Sequence, residues 1–542
     1  MSLEQNLREM ERSREAYWRR YPATSPVKLR WRALTVRHCF HVLPGESVLE
    51  FGAGTGLWTE HLVPTLRGEN PITAVVFNED FAAEAAGRSL PNTKFIHVAD
   101  LSDLPAESFD YVVGTAILCH NQYAQNLATL YRLLKPGGQL LFFEANYWNP
   151  QVFLKNTIRP LGRWSGDAEC QIGMRKYQLM KQASHQGFTH IEVIPYDIVH
   201  PLTPRPLIRA VQSTAFILEH APVIRDLCGT LYIWLAKPGN ARRRHVNLAT
   251  HPGLFGSTSF VIPCHNEEMN IPRLVDALVE TYDEYIHEII IVNDNSRDHT
   301  AEVTREVMER EPRVKLINRQ PPNGVGRALR DGYASATGRY ILTMDCDFLL
   351  ILPEFRDLFD RIAAGRDGAI GSRFSYESVL INYPFLKILC NRSFHLLVKL
   401  TLLSGVRDVS NNLKLYRAEI LKSLEIEEPH FAANMETGLK PLLSGYDIEE
   451  VPISWINRTA DMGASSFKIV KVAPNYFGAL MRTIWNVWRG RRDFRKKAEL
   501  RAEAKSIVGV EPSARLYDEQ QRHHRQPDAY LAEESLEEIK PR

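Results

Sequence analysis

The sequence predicts two α/β domains in tandem, and three observations carry that expectation. Short apolar runs alternate with helical stretches over residues 47–143, a second alternating series starts at residue 259, and a polar stretch rich in turn residues separates them. Alternation of this kind indicates a parallel sheet covered by helices. At 542 residues the chain exceeds one ordinary domain of roughly 100–200 residues. Its apolar content of 44% is ample for two conventional cores.

In the first series the expected strands are Val48-Leu49-Glu50-Phe51, residues 72–77, Tyr111-Val112-Val113 and residues 139–143. Residues 237–256 follow, with Pro238, Gly239, Asn240 and the run Arg242-Arg243-Arg244 and little periodicity, so the linker is placed there. The second series begins with Ser259-Phe260-Val261-Ile262 and continues through residues 288–292, Val314-Lys315-Leu316-Ile317 and residues 340–344. The expected division is therefore a first domain at 1–236, a linker at 237–256 and a second domain at 257–470. A basic and aromatic membrane-proximal segment is expected at 471–505, and a tail poor in large apolar residues at 506–542.

A net charge of +2 gives no whole-chain case for nucleic-acid binding. The first eight residues, Met1-Ser2-Leu3-Glu4-Gln5-Asn6-Leu7-Arg8, are charged from the start and lack the apolar core of a secretion signal, which predicts a cytoplasmic protein. Seven cysteines are scattered singly with no Cys-x-x-Cys, which fits reduced thiols and gives no zinc site. No apolar run reaches the roughly 18 residues of a spanning helix. The most apolar region, residues 383–405, is cut by Lys387, Arg392, His395 and Lys399. It reads either as surface-lying helices or as a buried amphipathic pair.

Glu50-Phe51-Gly52-Ala53-Gly54-Thr55-Gly56 follows a strand and opens a helical stretch near Leu57. Glycines there let the backbone turn sharply and approach a cofactor closely. Further pieces are Asp100 after Phe95-Ile96-His97-Val98-Ala99, then Phe109-Asp110-Tyr111-Val112-Val113, then Leu134-Lys135-Pro136-Gly137-Gly138-Gln139-Leu140. Together they resemble a class I S-adenosylmethionine-dependent methyltransferase with a Rossmann-like fold, over about residues 30–236. The resemblance implies that Glu50, Gly52, Gly54 and Gly56 lie beside the methionine part of S-adenosylmethionine and Asp100 near the adenine. One departure stands out: the acidic residue usual at the end of the second strand is replaced by Val76, with Glu79 in the following turn as a substitute. No motif names the methyl acceptor. His120 is a candidate base, or an ordinary partner in loop hydrogen bonding.

In the second half, Pro263-Cys264-His265-Asn266-Glu267 ends the first strand and Asp294-Asn295-Ser296-Arg297-Asp298 the second. In an open α/β sheet ligands bind beyond the carboxyl ends of the strands, so both loops can face one nucleotide. Asn323-Gly324-Val325-Gly326 supplies a glycine-containing loop, and Asp345-Cys346-Asp347 puts two carboxylates where an apolar run stops. Such a pair can hold a divalent cation, and the cation a diphosphate.

This set is similar to the family-2 glycosyltransferases, of the nucleotide-diphospho-sugar transferase (GT-A) fold. Gly371-Ser372-Arg373-Phe374, the stretch Asp408-Val409-Ser410-Asn411-Asn412-Leu413-Lys414, and Val451-Pro452-Ile453-Ser454-Trp455 with Arg458, Gly463, Ser466 and Lys468 narrow it. In that order they resemble dolichol- or polyprenyl-phosphate mannosyltransferases over about residues 257–470. The resemblance implies inverting transfer from a nucleotide sugar, GDP-mannose or a UDP-sugar, to a polyprenyl phosphate. Pro263, His265, Glu267, Asp294 and Asp345 would bind the nucleotide sugar, and Asp345 and Asp347 would hold Mg²⁺ or Mn²⁺. Arg458 and Lys468 would close over the diphosphate, and Arg373 would meet the acceptor phosphate, which suits a planar guanidinium. A phosphate acceptor is already anionic, so positioning and charge neutralisation are the whole task. Two departures are Phe348-Leu349-Leu350 after Asp347, where a polar residue is common, and Asn412 and Lys414 in place of the usual Gly and Arg.

A lipid acceptor is met at the bilayer. Phe385, Leu386, Leu389, Phe394, Leu397 and Leu400 recur at helical spacing, and Trp485 and Trp488 run into Arg489-Gly490-Arg491-Arg492-Asp493-Phe494-Arg495-Lys496-Lys497. The expectation is a bifunctional enzyme peripheral to the inner face of the plasma membrane, with no nucleic-acid partner. Two alternatives stay open: a sugar or protein hydroxyl acceptor with Glu436 as base, and a methyltransferase-like half that is a non-catalytic binding or regulatory module.

Overall fold

The computed structural model describes residues 2–157, 173–239, 246–381, 383–402, 405–456 and 469–490. The chain divides into two compact units, Met1–Val246 with Arg373–Phe394 and Pro452–Asn457, and Asn247–Ser372 with His395–Val451 and Arg458–Arg542.

The first unit is built on a seven-stranded sheet in the order β3-β2-β1-β4-β5-β7-β6. Its strands are β1 (Val48–Phe51), β2 (Ile72–Val76), β3 (Thr93–His97), β4 (Phe109–Thr115), β5 (Leu134–Ala145), β6 (His190–Tyr196) and β7 (Thr230–Ala236). The first five are parallel, and β7 runs antiparallel between β5 and β6. β1 is buried at all four positions, as a strand covered on both faces must be. Two apolar clusters cover the sheet: one gathers Phe51, Phe77, Val112 and Phe142, the other Val48, Val113, Leu141 and Phe143. The second cluster also takes in Val379 and Ile381.

Two helices precede the sheet, α1 (Leu3–Arg20) and α2 (Ser25–Phe40). α1 opens on a capping box in which the Ser2 side chain accepts from the Gln5 amide and the Gln5 side chain accepts from the Ser2 amide, so two orphan donors are satisfied at once. Leu7 and Met10 of α1 are buried in the first cluster.

The second unit carries another seven-stranded sheet, ordered β10-β9-β8-β11-β14-β12-β15. These are β8 (Thr258–Cys264), β9 (Ile286–Asn293), β10 (Val314–Asn318), β11 (Tyr340–Thr343), β12 (Gly368–Ser372), β14 (Lys414–Arg417) and β15 (Ile448–Pro452). β8 to β11 are mutually parallel, whereas β14 runs antiparallel to both β11 and β12. Ile289, Ile290 and Ile291 of β9 are wholly buried, the unbroken apolar run of a strand with helices on both faces. Every strand expected from the two alternating series is present. A short parallel pair, β13 (Leu380–Ile381) with β16 (Trp455–Ile456), belongs to the first unit.

Candidate functional site

In the second unit the loops after β8 and β9 are tied together by reciprocal hydrogen bonds. The Asn266 amide donates to Ser296 Oγ at 2.9 Å and the Arg297 amide to Asn266 Oδ1 at 2.8 Å. The Glu267 amide donates to Thr300 Oγ1 at 3.0 Å, and His265 Nδ1 lies 3.0 Å from the Asp294 carbonyl. Asn266 and Asn295 adopt positive φ, 59° and 54°, a conformation that asparagine tolerates. Pro263 sits inside β8, one residue before its end.

Asp294 is buried and fixed from three sides. Arg319 pairs with its carboxylate, the Gly324 amide donates to Oδ2 at 2.6 Å, and Asn323 Nδ2 donates to the backbone carbonyl at 2.8 Å. Gly324 has φ 152°, and a methyl group there would collide with the Pro429 carbonyl. The glycine lets the loop carrying the Asp294 contact lie flat against its neighbour.

Asp345 and Asp347 lie just past β11. The antiparallel register pairs Thr343 with Lys414, and continuing it sets Asp345 opposite Asn412. Asn412 Nδ2 donates to Asp345 Oδ1 at 2.7 Å, while Asn412 Oδ1 is buried with no hydrogen-bond partner among the described residues. A buried amide oxygen without a donor costs free energy unless something electropositive meets it. Two carboxylates and an amide oxygen form an all-oxygen set, which suits a hard cation such as Mg²⁺ or Mn²⁺. Asp345, Asp347 and Asn412 would hold it. The residue that departs from the family's usual glycine is thus the one that orients Asp345.

Lys414, the second departure, is fully buried and donates to the Asn434 carbonyl at 2.9 Å and Thr437 Oγ1 at 3.0 Å. Glu436 is buried as well. Its Oε2 accepts from the Glu428 amide at 2.8 Å and its Oε1 pairs with Lys440 at 2.8 Å. Burial raises its pKa, and Lys440 opposes the rise. Arg373 belongs to the first unit, where its guanidinium lies over the rings of Trp455 and Phe374 at 5.3 and 5.6 Å. Arg458, Gly463, Ser466 and Lys468 lie outside the described residues.

In the first unit Glu50 is buried at the end of β1 and accepts from Thr59 Oγ1 at 2.7 Å. Burial pushes its carboxyl up to about 7. Gly52, Gly54 and Gly56 take positive φ of 78°, 59° and 81°, which glycine adopts without strain. Asp100 caps the short 3₁₀ turn Leu101–Asp103 by accepting from the Ser102 amide at 2.8 Å, which holds its pKa below the ordinary value. Val76 is wholly buried, Glu79 is exposed at the start of the helix Glu79–Ala86, and His120 opens the 3₁₀ turn His120–Gln122.

The cradle above the glycine loop is filled by side chains of α1. The Gly54 amide donates to Glu11 Oε1 at 3.0 Å, Thr55 Oγ1 donates to Glu15 Oε2 at 2.6 Å, and Arg14 donates to the Gly52 carbonyl. A methyl group at Gly54 would collide with the Glu15 carboxylate and the Arg14 guanidinium. In this conformation Glu11, Arg14 and Glu15 lie against the loop where the resemblance implies S-adenosylmethionine. They come from a helix that the motifs of the α/β series do not include. Glu11, Arg14 and Glu15 look in sequence like one solvated helix face, and only their burial at 0%, 3% and 3% exposure reveals them.

Residues 259–425 match the family model for glycosyl transferase family 2, and residues 48–138 match that for a methyltransferase domain. The chain is similar to glycosyltransferase AglD of Haloferax volcanii, with 25% identity over 256 residues covering 46% of this chain and 40% of that protein. It is 27% identical over 227 residues to dolichyl-phosphate beta-glucosyltransferase ALG5C of Trichomonas vaginalis, covering 39% of this chain and 66% of that protein. It is 26% identical over 215 residues to polyprenol monophosphomannose synthase of Mycolicibacterium smegmatis, covering 38% and 80%. The chain thus spans less than two thirds of the length of the first two relatives. Sheet order, loop geometry and both family models agree: the chain joins an N-terminal methyltransferase domain to a C-terminal family-2 glycosyltransferase domain, each of an enzyme family.

Proposed function

We propose that the C-terminal half transfers a sugar from a nucleotide diphosphate donor, GDP-mannose or a UDP-sugar, to a polyprenyl or dolichyl phosphate. The observation that carries this is Asp345, fixed by Asn412 just beyond the sheet end that also bears the loops around Glu267 and Asp294. Two relatives, one named a dolichyl-phosphate beta-glucosyltransferase and the other a polyprenol monophosphomannose synthase, support the acceptor class. Glu436 supports it too: both carboxylate oxygens are committed to Glu428 and Lys440, whereas a base for a hydroxyl acceptor needs an oxygen within reach of the proton it takes.

A lipid acceptor calls for contact with a membrane surface. Among the described residues no helix is long and apolar enough to cross a membrane. The helix Phe385–Leu402 instead exposes Leu386, Leu389, Leu396 and Leu400, spaced along one face. The helix Ile469–Arg489 exposes Phe477, Trp485 and Trp488. Aromatic and leucine side chains on such faces suit the headgroup boundary, and the cytoplasmic leaflet is the face proposed. The domain limits 1–236 and 257–470 remain part of this reading.

The test is full-length protein with Mn²⁺ or Mg²⁺, polyprenyl phosphate and labelled nucleotide sugars. The expected result is an organic-extractable labelled product, reduced at least ~100-fold by Asp347→Ala, in keeping with the loss of a metal-held transition-state charge. Failure of every nucleotide sugar to label lipid, with donor binding unchanged in Asp347→Ala, overturns the reading.

A further inference from the structure

The glycine loop of the first unit is occupied by this chain's own side chains. Glu11 accepts at Oε1 from the Gly54 amide and at Oε2 from the Asn78 amide at 2.8 Å and Asn78 Nδ2 at 2.7 Å, and the Phe77 amide donates to the same carboxylate at 3.1 Å. One carboxylate therefore bridges the loop after β1 and the loop after β2. Both loops lie beyond the carboxyl ends of parallel strands, where open α/β sheets bind their ligands. Arg14 covers the Gly52 carbonyl and reaches the Thr115 carbonyl at 3.2 Å, and Glu15 pairs with Arg14 at 3.2 Å while accepting from Thr55. The other two glycines are covered as well: a methyl group at Gly52 would press on Ile117, and one at Gly56 on Arg88.

We infer that Glu11, Arg14 and Glu15 form an intramolecular competitor of S-adenosylmethionine, so that cofactor binding and the docked state of these three side chains exclude each other. The inference rests on the methyltransferase fold and not on the glycosyl-transfer reading, because its readout is cofactor binding alone. A ligand that must first displace a bound competitor shows an affinity reduced by the fraction of open molecules. The trio is a good competitor because a cation and two carboxylates satisfy an amide, a carbonyl and a hydroxyl group of the loop together. It is also separable from the fold. Leu7 and Met10 anchor α1 in the apolar cluster, and the exposed pairs Arg12–Asp80 and Arg19–Glu84 hold its outer face. Alanine at positions 11, 14 and 15 thus empties the cradle while the helix keeps its packing.

The experiment is calorimetry of S-adenosylmethionine with full-length wild type and with the triple variant Glu11→Ala/Arg14→Ala/Glu15→Ala, plus hydrogen exchange of residues 3–20 in wild type. The expected result is at least ~10-fold tighter binding in the variant and faster exchange of residues 3–20 in wild type at saturating S-adenosylmethionine. A folded variant that binds no better than wild type overturns the inference, and if neither binds, the half is left a binding or regulatory module. Wild-type binding with exchange of residues 3–20 unchanged also overturns the inference. If the triple variant does not fold, Glu15→Ala, which removes one of the side chains against Gly54, is decided by the same affinity criterion. Lipid glycosylation measured on the same preparations is expected to be unaffected, so a failure here is distinguishable from a failure of the proposed function.

Discussion

Asn412 Nδ2 donates to Asp345 Oδ1 at 2.7 Å across 67 residues of sequence. The bond fixes one member of the carboxylate pair and leaves the amide's other atom, Oδ1, buried beside it. A partner that orients a metal-binding carboxylate typically affects metal affinity 10- to 100-fold. Asn412→Ala is therefore expected to weaken Mn²⁺-dependent nucleotide binding about 10-fold, with the thermal midpoint nearly unchanged. Titration of nucleotide diphosphate with and without Mn²⁺ separates the effects: a loss equal in both conditions would show that Asn412 only shapes the loop.

Glu436 gives the sharpest contrast between acceptor classes. Glu436→Gln keeps a side-chain oxygen for the Glu428 amide and loses the ion pair with Lys440. With a phosphate acceptor, turnover is expected to fall less than ~10-fold, whereas removal of a general base costs about 10²–10⁴-fold. Initial rates of lipid labelling decide between them.

The leucine face of the helix Phe385–Leu402 makes a prediction independent of chemistry. Leu386 and Leu400 are 57% and 68% exposed, so replacing them leaves the fold nearly untouched. Burying a leucine side chain fully is worth about 1.5–3 kcal/mol. Leu386→Glu/Leu400→Glu is expected to reduce co-sedimentation with anionic vesicles at least ~10-fold, the equivalent of about 1.4 kcal/mol. Unchanged sedimentation would remove this face from the membrane contact.

What was legible in the sequence was local. Gly52, Gly54 and Gly56 announce a tight turn because only their own φ values are at stake, and Asp345-Cys346-Asp347 announces a carboxylate pair because both members sit on one short loop. Most of the parallel strands were readable because each carries a short apolar run, but β3 (Thr93–His97), in which only Phe95 and Ile96 are apolar, was not among those expected. β7 was not placed, because its position between β5 and β6 depends on antiparallel pairing with strands on either side. The same non-local pairing hid the role of Asn412: its departure from the usual glycine was visible, but the register that sets it opposite Asp345 was not. α1 was hidden for another reason, since buried charges that satisfy backbone groups have the same sequence as a solvated face.

Three carboxyls in the first unit, Glu50 and Glu144 buried and Glu219 half-buried, shape its response to pH. Burial pushes Glu50 and Glu144 up to about 7, and burial together with Asp197 pushes Glu219 up to about 8. Their ordinary value is 4.5, so between that value and about 8 the folded unit holds more protons than the unfolded chain. Stability then falls as pH rises. His61, lowered to about 4 by burial and by Arg30 and Arg88, acts in the opposite direction, but only below its ordinary value of 6.5. The clear window is therefore pH 6.5 to about 8. Across it, hydrogen exchange of β5 is expected to speed up after correction for intrinsic base catalysis. Glu219→Gln retains an acceptor for the Ile198 amide, which donates to Glu219 Oε1 at 3.1 Å, and removes the titration. It is expected to flatten the slope and to raise protection at pH 8 relative to wild type. An unchanged slope in Glu219→Gln would show that its carboxyl is charged throughout this range.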